Sequence, residues 1–267
     1  MSHYLHGSDP AEQNRLSRLN DLINDRCFPK LNIQPGWKIL DVASGLGQLS
    51  SKMSKAVGAS GMVLGIERDI NQLTAARKNF SASNLEFREG DALNLPLKEN
   101  EEGQFDFVHV RFLLEHLTQP AKAVAQTMRA LKPGGKIFLA DDDHETMMLF
   151  PEPEGFKELW MAYMESYVEV GNDPYIGRKL TKLLYDAGFK DIHNDVVFFG
   201  DCFGTDTFDL FVANLAEVIS TSKEVMLQSN LISEKAYHTA IKNIYDWGRN
   251  PHAALWYTIA LAQGVKN

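Results

Sequence analysis

The 267-residue sequence predicts an α/β protein built on a doubly wound, mostly parallel sheet of seven strands, with helices on both faces. Short apolar runs alternate with amphipathic stretches of about ten residues, the pattern of βαβ units. A glycine turn directly follows the first apolar run, and no internal repeat or low-complexity tract interrupts the order.

Each element has its own signal. Asp9 and Pro10 read as an N-cap and a first helical position, with Glu12 in the first turn. Leu16, Leu19 and Ile23 follow at helical spacing and predict an N-terminal amphipathic helix that ends before Pro29. After the turn Gln34-Pro35-Gly36, residues 37–42 form the first strand and pass into Ala43-Ser44-Gly45-Leu46-Gly47. The next helix places Leu49, Met53 and Ala56 on one face. A strand at 62–66, a helix at 70–80 with Leu73, Ala76 and Phe80 inward, and a short strand at 85–87 lead to Gly90 and Asp91. A strand at 105–110, a helix at 121–131, a Pro133-Gly134-Gly135 turn and a strand at 136–140 continue the alternation.

Beyond residue 150 the pattern loosens. Helices are expected at 156–170 and 176–187, the second closed by Gly188, and a strand at 191–199. Two helical stretches at 208–222 and 233–247 precede a last strand at 254–262, which makes 204–250 a helical insertion before that strand.

Composition narrows the function. With 27 Lys+Arg against 35 Asp+Glu the net charge is −8, which argues against a partner held mainly through its phosphates. Cys27 and Cys202 form no spacing motif, so neither a zinc site nor a disulfide framework is expected, and a reducing, cytoplasmic setting fits. The first ten residues lack the apolar stretch of a signal peptide, and no run reaches the length of a membrane span.

In an open α/β sheet, ligands bind beyond the carboxyl ends of the strands, so the turn after the first strand carries the most information. Gly45-Leu46-Gly47 is followed by Gln48-Leu49-Ser50, without the third glycine of a dinucleotide fingerprint. Val42 and Leu46 flank Ser44 where a hydrolase elbow needs glycines. What remains is Asp41 followed by Gly45 and Gly47, a D-x-x-x-G-x-G turn. Glu67 ends the second strand, where a carboxylate can accept ribose hydroxyls. Asp91 follows the third, where a carboxylate can accept a hydrogen bond from an adenine amino group.

Together these features resemble the class I S-adenosylmethionine-dependent methyltransferases. The nearest group is that of the ubiquinone/menaquinone-biosynthesis and small-molecule enzymes, with a methyltransferase type 11/25-like domain. The matching segments are 39–47, 65–69, 90–96, 105–111, 114–117 and 131–135, covering about residues 37–141 in the family's order. Ala43 departs from the glycine that many members carry, though alanine still permits a tight turn. The resemblance implies a Rossmann-like fold, S-adenosylmethionine as cofactor and S-adenosylhomocysteine as product. It also implies residue roles. Ala43, Ser44, Gly45 and Gly47 would border the methionine moiety, with Asp41 supporting the turn. Glu67 would hold the ribose, Arg68 would lie along an adenine face, and Asp91 would read the adenine amino group beside Ala92 or Leu93. The Arg111 backbone would meet the methionine amino group, and Tyr4 would close over the cofactor.

Methyl transfer from a sulfonium is an in-line displacement that needs alignment, and a base when the nucleophile is a hydroxyl. His116 and His144 are the catalytic candidates, whereas His109 lies inside a strand and reads as a hydrogen-bonded core residue. The acidic run from Asp141 to Glu145 could ligate Mg²⁺, but reads better as a solvated loop bordering the substrate pocket, and no metal is expected. Aromatic residues after Gly204 (Phe208, Phe211, Tyr237, Tyr245 and Trp247) suit an apolar cover. The absence of an Asn/Asp-Pro-Pro-aromatic sequence and of a cysteine after proline weakens the nucleic-acid readings.

The expectation is therefore a single domain over 1–267: an N-terminal helical cover at 1–33, the cofactor-binding core at 34–141, further sheet and helices at 142–203, a helical lid at 204–250, and a final strand within 251–267. The expected activity is methyl transfer to an O, N, S or C nucleophile of a small, partly apolar molecule. A quinone or lipid precursor is the alternative acceptor. A non-catalytic S-adenosylmethionine-binding interaction protein is the alternative of another class. Neither nucleic acid nor integral membrane contact is expected, and a homodimer is compatible with the sequence.

Overall fold

The computed structural model describes residues 23–267. Tyr4, and with it most of the expected N-terminal helix, lies outside the described residues; 23–27 are helical. The alternation continues through β1 (Lys38–Val42), α1 (Gln48–Val57), β2 (Met62–Glu67), α2 (Ile70–Asn79), β3 (Leu85–Glu89) and β4 (Phe105–Arg111). It goes on with α3 (Pro120–Ala130), β5 (Leu131–Asp142), β6 (Met148–Phe150), α4 (Phe156–Glu169) and α5 (Leu180–Asp186). The remainder is β7 (Lys190–Phe198), β8 (Asp201–Cys202), α6 (Phe208–Thr221), α7 (Lys223–Gln228), α8 (Glu234–Trp247), β9 (Ala254–Trp256) and β10 (Thr258–Val265).

The main sheet has seven strands in the order β3-β2-β1-β4-β5-β10-β7. β10 runs antiparallel to β5 and β7, while the pairings from β3 to β5 are parallel. The chain winds outward from β1 to β3, then returns to place β4 on the other side of β1. That reversal makes the carboxyl end of β1 the switch point, where the diverging connections leave a crevice.

Strand alternation sends side chains to two cores. Ile39, Phe107 and Phe138 join one, with Ile23, Trp160, Phe208, Phe211 and Trp247. Leu40, Val108 and Ile137 face the other, with Val124, Leu180 and Leu184. The helices after Gly204 thus pack on one sheet face. Phe208, Phe211, Tyr237 and Trp247 are buried there, whereas Tyr245 is exposed.

Two expectations need correction. The segment 254–262 is two strands, because the buried Tyr257 separates β9 from β10. β9 pairs with β6 and β8 in a second, three-stranded sheet, and only β10 enters the main one. The acidic run is not a solvated loop after a strand. β5 extends through Asp142, held by pairing with β10, and Asp141 is 0% exposed, Asp143 6% and His144 3%.

Candidate functional site

The glycine turn is built from left-handed backbone. Ala43, Gly45 and Gly47 have φ of 60°, 55° and 79°, so alanine adopts at position 43 a conformation that glycine takes without strain. Gly47 is also fixed by packing. A Cβ there would lie 2.6 Å from Phe87 Cζ and 3.0 Å from Ala76 Cβ. Gly47→Ala is therefore expected to cost about 2 kcal/mol through strain and overpacking. Chemical denaturation checks this, and an unchanged midpoint would mean that Phe87 moves aside freely.

Two acids hold the turn from below and from the side. Asp41 is buried, with Oδ2 accepting from Ser50 Oγ at 2.5 Å and Oδ1 2.8 Å from His109 Nδ1. His109 is buried and stacks on Phe138 at 5.9 Å, as a core histidine would. Glu67 Oε2 accepts from the Gly45 amide at 2.9 Å, and Oε1 accepts from the Arg68 and Asp69 amides at 2.8 Å each. Burial pushes the Glu67 carboxyl above its ordinary range, and these amides pull it back. Asp69 in turn caps α2 through the Asn71 and Gln72 amides.

Above this turn lies a cavity of about 510 Å³. Asp41, Ala43, Ser44 and Gly45 line one side, and Glu67, Arg68, Asp91 and Ala92 another. Arg111 and His116 close it. Asp91 Oδ1 accepts from the Leu93 amide at 2.8 Å. Gly47 and Leu93 themselves stand off the wall: the first packs α1 against Phe87 and Ala76, and the second supplies its amide to Asp91. Sequence reasoning missed Gln72, which is buried on α2 and faces the turn, and Ile70, half-exposed at the rim. Gln72 had a signal, being polar within an inward helical stripe beside Leu73 and Ala76.

The donor set fits S-adenosylmethionine. Left-handed backbone at Gly45 lets the chain approach a ligand, with two carboxylates at successive strand ends. Glu67 Oε2, which accepts a single amide, has room for one hydroxyl without moving.

Phe112 forms the boundary with a second cavity of about 70 Å³ and lines both. Its φ of 51° is unusual for a bulky side chain, the kind of backbone outlier that clusters at ligand sites. Trp160, Phe199 and Phe211 line the smaller cavity, which takes polar groups from Asp142, His144 and Tyr257.

The predicted histidines part company here. His116 borders the larger cavity and stacks on Tyr167 at 5.8 Å, and burial drives its pKa down to about 3. So weak a base is poorly matched to abstracting a proton near neutrality. His144 borders only the smaller cavity. Its Nε2 is 3.0 Å from Glu115 Oε2 and its Nδ1 is 3.0 Å from the Tyr257 hydroxyl, while its carbonyl accepts from Trp160 Nε1 at 2.7 Å. Burial lowers the His144 pKa, and burial with nearby acids raises Glu115 to about 8 and Asp142 to about 7. Asp141 accepts from the Leu114 amide at 2.8 Å. Asp143 is clasped by Arg178 at 2.5 and 2.7 Å, so the acidic run serves three different purposes.

A family model described as a methyltransferase domain matches residues 40–139. An uncharacterized 37.1 kDa protein in transposon TN4556 of Streptomyces fradiae is 32% identical over 163 residues, covering 60% of this chain and 45% of that protein. A demethylmenaquinone methyltransferase of Staphylococcus epidermidis is 27% identical over 205 residues, covering 67% of this chain and 81% of the enzyme. Among solved structures, a Haemonchus contortus phosphoethanolamine N-methyltransferase bound to phosphomonomethylethanolamine and S-adenosylhomocysteine superposes with a TM-score of 0.52. That match has 18% identity and covers 95% of this chain and 52% of the other.

Proposed function

We propose that this chain, which carries a class I S-adenosylmethionine-dependent methyltransferase domain, transfers the methyl group of that cofactor to a small, partly apolar molecule. One juxtaposition carries the reading: the glycine turn, Glu67 and Asp91 converge on a single cavity at the switch point of the sheet. When bound, the cofactor supplies an electrophilic methyl group on a sulfonium and leaves as S-adenosylhomocysteine. Gly45 and Ser44 would border its methionine end, Glu67 its ribose, and Asp91 with Ala92 its adenine. Arg68 would lie beside the purine, and the Arg111 backbone near the methionine amino group.

The acceptor would sit beyond Phe112, in the smaller cavity. Trp160, Phe199 and Phe211 would enclose an apolar body there, while Asp142, His144 and Tyr257 would meet its polar end. His144 borders that cavity, with its ring oriented by Glu115 on one side and Tyr257 on the other. Demethylmenaquinone methyltransferases are among the relatives, which favours a quinone-type acceptor; its ring exceeds the volume of about 70 Å³ now present, so the aromatic walls would have to part to admit it. Both cysteines are free thiols, which suits a cytoplasmic setting. Among the described residues, no helix is long and apolar enough to cross a membrane.

Calorimetry with S-adenosylmethionine and S-adenosylhomocysteine tests the reading, and both are expected to bind at one site per chain. Absence of binding by either would sink it. Binding without turnover across hydroxylated, amine and quinol acceptors would favour a non-catalytic interaction role.

A further inference from the structure

The smaller cavity ends in a cluster that the methyl-transfer reading leaves only partly used. Glu115, Asp142 and His144 each present a donor atom, and these atoms all lie within 4.8 Å of one another. They come from separate places, Asp142 from the end of β5, Glu115 and His144 from the connections after β4 and β5. Glu115 and His144 are buried and Asp142 is half-buried. Glu115 meets the imidazoles of His116 at 3.3 Å and His144 at 3.0 Å, and the buried Arg111 guanidinium lies near enough to Asp142 to feel its charge. Asp142 Oδ1 is itself buried and has no hydrogen-bond partner. A buried carboxylate oxygen with no hydrogen-bond donor is costly unless the acid is protonated or a cation meets that oxygen.

The imidazole is already posed for such a cation. Nδ1 meets the Tyr257 hydroxyl at 3.0 Å, which fixes the ring and leaves Nε2 directed at Glu115. Metal-bound histidines usually carry an outer hydrogen bond of this kind on the second nitrogen. Two donors bonded to one ion at about 2.1 Å and at right angles stand about 3.0 Å apart. That is the separation of Glu115 Oε2 from His144 Nε2. One nitrogen and two oxygens, the donors grouped here among the described residues, suit neither Ca²⁺, which takes six to eight oxygens, nor Mg²⁺, which binds through oxygen and keeps its waters.

We propose that Glu115, Asp142 and His144 form a site for one divalent first-row transition ion of the Mn²⁺, Fe²⁺ or Zn²⁺ class, with an open coordination position toward the smaller cavity. Asp142 and His144 line that cavity, so an oxygen-bearing ligand within it would reach the open position. The site stands independently of the acceptor's identity, and its test reads metal rather than methyl transfer.

The full chain, stripped with a chelator, would be dialysed against MnCl₂, FeCl₂ or ZnCl₂, the iron without oxygen, and its metal counted by mass spectrometry. One ion per chain is expected for at least one metal. Asp142→Asn and Glu115→Gln should lose this stoichiometric ion, and Tyr257→Phe should weaken binding about 10- to 100-fold. Retention below one ion for all three metals overturns the site, as does equal retention by folded Asp142→Asn and Glu115→Gln chains. Should those variants fail to fold, pulsed electron paramagnetic resonance of the Mn²⁺-loaded native chain decides. Nitrogen modulation from one imidazole is expected, and its absence overturns the assignment. Cofactor calorimetry on the same samples separates this outcome from failure of the methyltransferase reading.

Discussion

Glu67→Ala is expected to lower affinity for S-adenosylmethionine by roughly 100-fold, a loss of the size that one charge-assisted hydrogen bond and a loosened turn together account for. The carboxylate does more than face the cavity. It accepts the amides of Gly45, Arg68 and Asp69, and so joins the glycine turn after β1 to the start of α2. Its removal leaves three backbone donors to find other partners, and the melting temperature should fall alongside the affinity. Glu67→Gln separates the two effects. The amide oxygen can still accept from Arg68 and Asp69, but its NH₂ group opposes the Gly45 amide and cannot stand in for the carboxylate. Calorimetry and thermal melting on both variants would read these losses. Wild-type affinity in Glu67→Ala would mean that the ribose assignment is wrong.

Asp41→Ala is expected to be the most damaging single change to stability, at about 3 kcal/mol. The side chain is 2% exposed and joins β1, α1 and β4 through Ser50 and His109. Truncation leaves a buried hydroxyl and a buried imidazole without their partner. Asp41→Asn retains the shape and an acceptor oxygen, so it should recover part of the loss. Urea denaturation of both variants measures this. A cost under about 1 kcal/mol for the alanine variant would place Asp41 among ordinary polar contacts.

The fold was legible in the sequence where short-range pattern decides it. Parallel strands buried on both faces read as apolar runs, and glycine at the ends of elements marked the turns. The cavity acids were legible because Glu67 and Asp91 fall beside strand ends that periodicity locates. What failed was anything decided by partners distant in the chain. Asp141 to Asp143 look solvated by composition, yet pairing with β10 carries the strand through Asp142, and Arg178 holds Asp143 just beyond it. Gly47 was visible as a motif glycine, but its reason depends on Phe87 and Ala76, which no local pattern connects to it. The division at Tyr257 was hidden because the segment is almost uniformly apolar, and periodicity cannot say that its first three residues pair with β6 and β8. Glu115 lay within the matched segment 114–117, but its burial had no signal, since a glutamate before a histidine in a connection looks exposed until the fold closes over it.

Phe112 contributes to the walls of both cavities. A residue common to both walls couples the two compartments, so a shift of Phe112 that widens one narrows the other. Selectivity for whatever enters the smaller compartment is then written partly in the seat of its neighbour. A change on the β1 side of the molecule can alter which molecules are admitted beside β5 without touching a residue that lines their pocket.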